Sequence, residues 1–150
     1  MKTKPLVLVL TVTALGILSV AKVADARDDL LHLPLADVLN SADAKAKLDP
    51  GVALYFGRQP YAPPAQRMSV TTANKKTNFF NKTDQEGCNW VFLSAARSLQ
   101  EFARKMGGNA VVNIVSFYKS QEFVSETHFE CGAGSIVGGV ALKGEVVLIK

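Results

Sequence analysis

The chain is poor in residues that do chemistry at a site. Among 150 residues there are two cysteines, two histidines and one tryptophan. Cys88 and Cys131 stand far apart, so no Cys-x-x-Cys pair exists for thiol exchange or zinc. Zinc needs three or four nitrogen, sulfur or carboxylate ligands. The four candidates, His32, His128, Cys88 and Cys131, give one close pair, His128 with Cys131. No metal and no cofactor is therefore expected. A phosphate loop of the Walker type is also missing. The chain's Gly-Lys order is reversed, as Lys143-Gly144, and no Ser or Thr follows. Gly132 and Gly134 give a Gly-x-Gly, but Val137 stands where a dinucleotide fingerprint has its third glycine. Nucleotide binding is excluded on these grounds. No block of five like charges occurs, so nothing supports a nucleic-acid or anionic-membrane partner.

One long apolar run is present, at the N-terminus. Lys2 and Lys4 precede "PLVLVLTVTALGILSV", Pro5 to Val20, and "ADA", Ala24 to Ala26, follows. A basic start, an apolar stretch and a small-x-small site read as a secretory signal peptide, residues 1–26. The alternative is an uncleaved membrane anchor. Removal of 1–26 lowers the basic residues from 17 to 14 and the acidic ones from 13 to 12, a net charge of +2 rather than +4. Residues 27–150 are then a single domain, periplasmic or secreted, with no membrane span.

Along this domain, Pro34 suits a first helical turn, with Leu35, Val38 and Leu39 on one face of a short helix to about Ser41. A second turn reaches Leu48. "VALYFG", Val52 to Gly57, and "MSVTTAN", Met68 to Asn74, read as strands separated by the proline-rich "RQPYAPPAQR". "KKTNFFNKTDQEG" reads as a surface loop, with Asn81-Lys82-Thr83 fitting a glycosylation sequon. The strongest periodicity follows: Phe92, Ala95, Ala96, Leu99, Phe102, Ala103 and Met106 form an apolar stripe, opposite Arg97, Gln100, Glu101, Arg104 and Lys105. This predicts an amphipathic helix of about five turns. Thr83 with Glu86 has capping-box spacing, which leaves its start between Asp84 and Asn89. Phe92, Leu99 and Phe102 should be buried. Gly107-Gly108 should end the helix, at least one of them left-handed; Ala at that glycine should cost about 1 kcal/mol and Ala at the other less, the alternative being that the second glycine only relieves packing against the strand.

Then "NAVVNIVSFYK", "FVSETHFEC" and "VALKGEVVLI" read as strands joined by short turns, hence an antiparallel sheet. Alternation in the second puts Phe123, Ser125, Thr127, Phe129 and Cys131 on a core face, and Val124, Glu126, His128 and Glu130 on a solvated one. Gly144 marks a bulge or twist point in the last strand. The fold class is α+β: one long helix packed on a small antiparallel sheet.

His128 falls on the opposite strand face from Cys131 and cannot serve as its base. Cys88 at a helix start favours a thiolate, which supports a runner-up reading as a small thiol redox or hydrolytic enzyme. The leading reading is a structural disulfide between Cys88 and Cys131, favoured in an oxidising compartment. The alternative is two free thiols. A loop of 43 positions corresponds to about 4 kcal/mol of chain-entropy stabilisation. No catalytic constellation is found.

The segment "GCNWVFLSAARSLQEFARKMGGNAVVNIVSFYKS…FECGAGSIVGGVALKG" resembles a family of uncharacterised exported proteins of Gram-negative bacteria. "VALYFG" and "TTANKKTN" extend the resemblance upstream. Some members are labelled excinuclease ATPase subunits, a label that the missing Walker motif contradicts here. "GGNAVVNI" and "KGEVVLI" are distantly similar to the sensor lipoprotein of the Rcs envelope-stress relay and to YbjQ-like proteins, although the sensor's lipid-bearing cysteine is absent. The resemblance supplies no catalytic residues. The expectation is a non-enzymatic envelope module that binds another envelope protein. Tyr61, Pro63, Pro64, Phe79 and Phe80 are its candidate surface, since exposed aromatics favour binding; the alternative is that Phe79 and Phe80 tuck under the sheet.

Overall fold

The computed structural model describes residues 26–150, so the signal-peptide reading lies almost wholly outside the described residues. Among them no helix is long and apolar enough to cross a membrane. Six strands form one sheet: β1 (Asp28–Pro34), β2 (Ala53–Phe56), β3 (Pro64–Asn78), β4 (Ala110–Ser116), β5 (His128–Gly134) and β6 (Val137–Ile149). The helices are α1 (Leu35–Leu39), α2 (Ala42–Lys47) and α3 (Asp84–Met106).

β6 organises the sheet. It pairs with β3 along one edge, and with β4 and then β5 along the other; β1 continues beyond β5 and β2 beyond β4. The sheet curls into a half-barrel, with α3 across one face. The expected all-antiparallel sheet needs correction, because β2 runs parallel to β4. Parallel neighbours need a long crossover, and the segment carrying β3 and α3 supplies it.

Other boundaries moved for local reasons. β1 was not expected; Pro34 ends it and is also the N-cap residue of α1, the short helix the sequence indicates there. β3 is twice the expected length: it takes in half of the proline-rich segment and "KKTN". As an edge strand it has little apolar alternation to betray it, and Pro64 at its first position is where an edge tolerates proline. β4 ends at Ser116, before a 3-10 turn at Tyr118–Ser120 with left-handed Lys119 and Ser120, and β5 starts only at His128. Phe123 keeps only an isolated bridge to Ser116. A bulge lies in β4 at left-handed Asn113, between Val112 and Val115, directly opposite Gly144 of β6.

α3 starts at Asp84. The Thr83 hydroxyl accepts from the Glu86 amide at 3.2 Å, and the Glu86 carboxylate accepts from the Thr83 amide at 2.8 Å. It ends where left-handed Gly107 donates to the Arg104 carbonyl and Gly108 to the Ala103 carbonyl, at 3.1 and 2.8 Å. Phe92 and Leu99 are buried as expected. Phe102 is only half-buried and Met106 is exposed. Gln100, assigned to the polar side, is buried instead: its amide donates to the carbonyls of Asp49 and Val52 at 2.9 and 2.8 Å. Those bonds hold the turn into β2 against α3.

The Cys88–Cys131 disulfide joins α3 to β5, with Cα atoms 5.9 Å apart. Beside it an aromatic row crosses the core from β2 through α3 to β5. Phe56, Phe92 and Phe129 have successive centroid separations of 5.9 and 4.4 Å.

Candidate functional site

The proposed surface residues do not share a surface. β3, roughly 45 Å long at strand rise, separates them into two groups. At its start, Tyr61 packs with Tyr55, Val112 and Val147 in a small second core on the sheet face away from α3. The Tyr61 hydroxyl accepts from Arg67 and Asn113, each at 3.3 Å. These bonds, Arg67 foremost, lower its pKa. Pro63 is exposed and Pro64 half-buried beside it.

At the other end, Phe79 and Phe80 part company. Phe79 is buried, with its ring against Gly87 of α3 and Gly138 of β6, so it is withdrawn from the candidate surface. Its amide donates to the Ile136 carbonyl at 2.6 Å, which binds this loop to the β5–β6 turn. The Asn78 carboxamide oxygen caps the Phe80 amide at 2.6 Å, and Asn81 is left-handed. With one ring locked inside, the next is forced out: Phe80 is 68% exposed. Ile136 and Val137, on the turn just bonded to it, are 64% and 51% exposed. Three large exposed apolar residues thus lie on two neighbouring chain segments joined by the Phe79–Ile136 backbone hydrogen bond. Sequence reasoning missed Ile136 and Val137 by reading Gly132–Gly139 as turn geometry alone.

The polar clusters are otherwise engaged. Cys88 lies in the second turn of α3, not at its N-terminus, and both sulfurs are fully buried in the bond. Glu130 is buried rather than solvated: its carboxylate meets His32 Nε2 at 3.1 Å, and its amide donates to Ser116 Oγ at 2.9 Å. The His32 ring lies 4.6 Å from that of Phe123. His128 and Glu126 are exposed, as expected. Among the described residues no three His, Cys, Asp or Glu side chains converge to hold a metal.

A cleft of about 470 Å³ lies between α2 and α3. Its charges are mostly paired. Arg104 grips Asp49 at 2.6 and 2.9 Å, and Arg97 meets Glu101 at 2.9 Å. The Lys47 ammonium sits 3.0 Å from the Trp90 ring centroid. The Lys47–Trp90 contact ties α2 to α3, and the Arg104–Asp49 pair ties the turn after α2 to the end of α3. No protein-family model matches the chain, and no curated protein or solved structure is significantly similar to it.

Proposed function

We propose that this chain is an exported, non-enzymatic interaction module that works in the periplasm by docking another envelope protein. One observation carries the reading: the exposed apolar end formed by Phe80, Ile136 and Val137 on turns that the buried Phe79 holds in place. Contiguous exposed apolar groups on a rigid support are typical of contact sites. A signal peptide at residues 1–26 and a buried disulfide suit an oxidising compartment. The resemblance to exported Gram-negative proteins names the periplasm. The alternative, thiol or hydrolytic chemistry at Cys88, has little support, because a reactive thiol must be reachable and this sulfur is not.

The test is in-cell photo-crosslinking. A photoreactive phenylalanine analogue replaces Phe80 or Ile136, with exposed Lys45 as the control position. One shared adduct with an envelope protein from Phe80 and Ile136, absent at Lys45, is expected. No adduct at either apolar position would refute the docking role.

A further inference from the structure

β3 is bonded to β6 along one edge, and to no strand along the other among the described residues. Such an edge presents unpaired amides and carbonyls to any extended chain that can approach. α3 runs beside it. Ser98, Phe102 and Lys105 are spaced by four and three residues, so they share one helix face. With Thr71, Ala73 and Lys75 they line a groove of about 370 Å³. Strand alternation puts those three β3 residues on the α3 side, with Ala73 buried between the other two. Phe102, half-buried where full burial was expected, supplies apolar surface to the groove.

The charge in the groove is unbalanced. Glu101 also lines it, but its carboxylate is engaged by Arg97 at 2.9 Å. Lys75 and Lys105 form no ion pair among the described residues. An acidic occupant would complement these two ammonium groups. A second copy of the same edge would not, since the stretch 71–76 carries lysines and no acidic residue.

We infer that the groove between β3 and α3 takes an extended, acidic peptide segment of another protein, which adds to the sheet beside β3. Main-chain hydrogen bonds would give the affinity, and the lysines and Phe102 would select the side chains. The inference rests on the reading of the chain as a binding module, but it uses residues other than Phe80, Ile136 and Val137.

The probe is a short, capped, fluorescent peptide alternating Val with Glu, titrated into the disulfide-bonded protein at low salt. Binding is expected, with new hydrogen-exchange protection confined to outward amides of Thr71–Lys75. The same peptide N-methylated at alternate residues should bind at least about tenfold more weakly, because it cannot form the ladder. The exposed pair Lys75→Glu with Lys105→Glu should also weaken binding by about tenfold or more. Phe80→Ser should leave binding unchanged. No binding up to about 1 mM would overturn the inference. So would equal binding of the N-methylated peptide, or equal binding by the lysine variant. Peptide binding that persists when Phe80 gives no cross-link upholds the groove and removes only the docking role of the apolar end.

Discussion

The ring of Phe79 fills the space that a side chain on Gly138 would need. Gly87 of α3 faces the same ring, and a Cβ there would lie 2.5 Å from Phe79 Cε1. Helix, central strand and loop therefore meet on one aromatic plug. Phe79→Ala should cost about 3–5 kcal/mol through the cavity it leaves. Phe80→Ala, one residue on and exposed, should stay within about 0.5 kcal/mol. Urea unfolding of the two variants measures the contrast. Equal losses would mean that Phe79 is not the plug.

The two glycines after α3 play different parts. Gly107 has φ +82° and open space around it, so Ala there meets only backbone strain, about 1 kcal/mol. Gly108 has ordinary φ, but a Cβ would lie 2.5 Å from Val146 Cγ1 and 2.9 Å from the Val147 carbonyl oxygen. A β6 carbonyl cannot step aside without disturbing the ladder. Gly108→Ala should thus be the more damaging change, about 1–3 kcal/mol. The sequence places the larger cost at whichever glycine is left-handed, with packing of the second glycine against the strand as its alternative; the contacts of Gly108 favour that alternative. Thermal melts of both variants decide it.

Asp49 makes a small contribution to the acid sensitivity of the fold. Hydrogen bonds from Arg104, and then from the Gly51 amide, lower its pKa to about 2 from an ordinary 3.8. A carboxylate with a depressed folded pKa stabilises the fold above its unfolded pKa, and that contribution is lost as pH falls through the folded value. The loss from this pair falls between about pH 4 and pH 2. Its size is small, because the pair is solvent-screened. Asp49→Asn should remove this small contribution above about pH 4, lessen the fall in stability between pH 4 and pH 2, and match the wild type below that window. Urea midpoints from pH 5 to pH 2 test this.

How much of this was legible beforehand depended on what each residue faces. α3 was readable because Phe92, Ala96, Leu99 and Ala103 repeat at helical spacing, and the Thr83–Glu86 box fits its observed start. The cysteine pair was readable because only two exist. β1 and most of β3 were not, since their largely exposed residues lack apolar alternation and only pairing partners far along the chain make them strands. Gln100 misled for a similar reason. Its polarity serves the carbonyls of Asp49 and Val52, about fifty positions away. At the candidate site, "NFFN" marked the loop correctly, but which ring points inward is set by Gly87 and Gly138. Glu130 looked solvated by alternation; β1, the strand that brings His32 over it, was the one missed.

The disulfide should matter to stability and resist reduction. Closing a loop across 43 positions contributes about 4 kcal/mol, against a typical total of about 5–15 kcal/mol. The paired variant Cys88→Ala with Cys131→Ala should lose close to that amount in urea unfolding. Because both sulfurs are buried, dithiothreitol should reduce the native protein far more slowly than the urea-unfolded one. Equal rates would mean that the bond is within reach of other thiols.

Thiol trapping of the protein as cells make it tests the central claim most directly, since export and a structural, non-reactive cysteine pair are read out together. Cells are quenched in acid, denatured and treated with a maleimide that adds mass to free thiols. The account predicts a single fully oxidised species, unlabelled at Cys88 and Cys131 until reductant is added. A free or mixed population in the exported protein would contradict it and return Cys88 to consideration as a redox or nucleophilic residue.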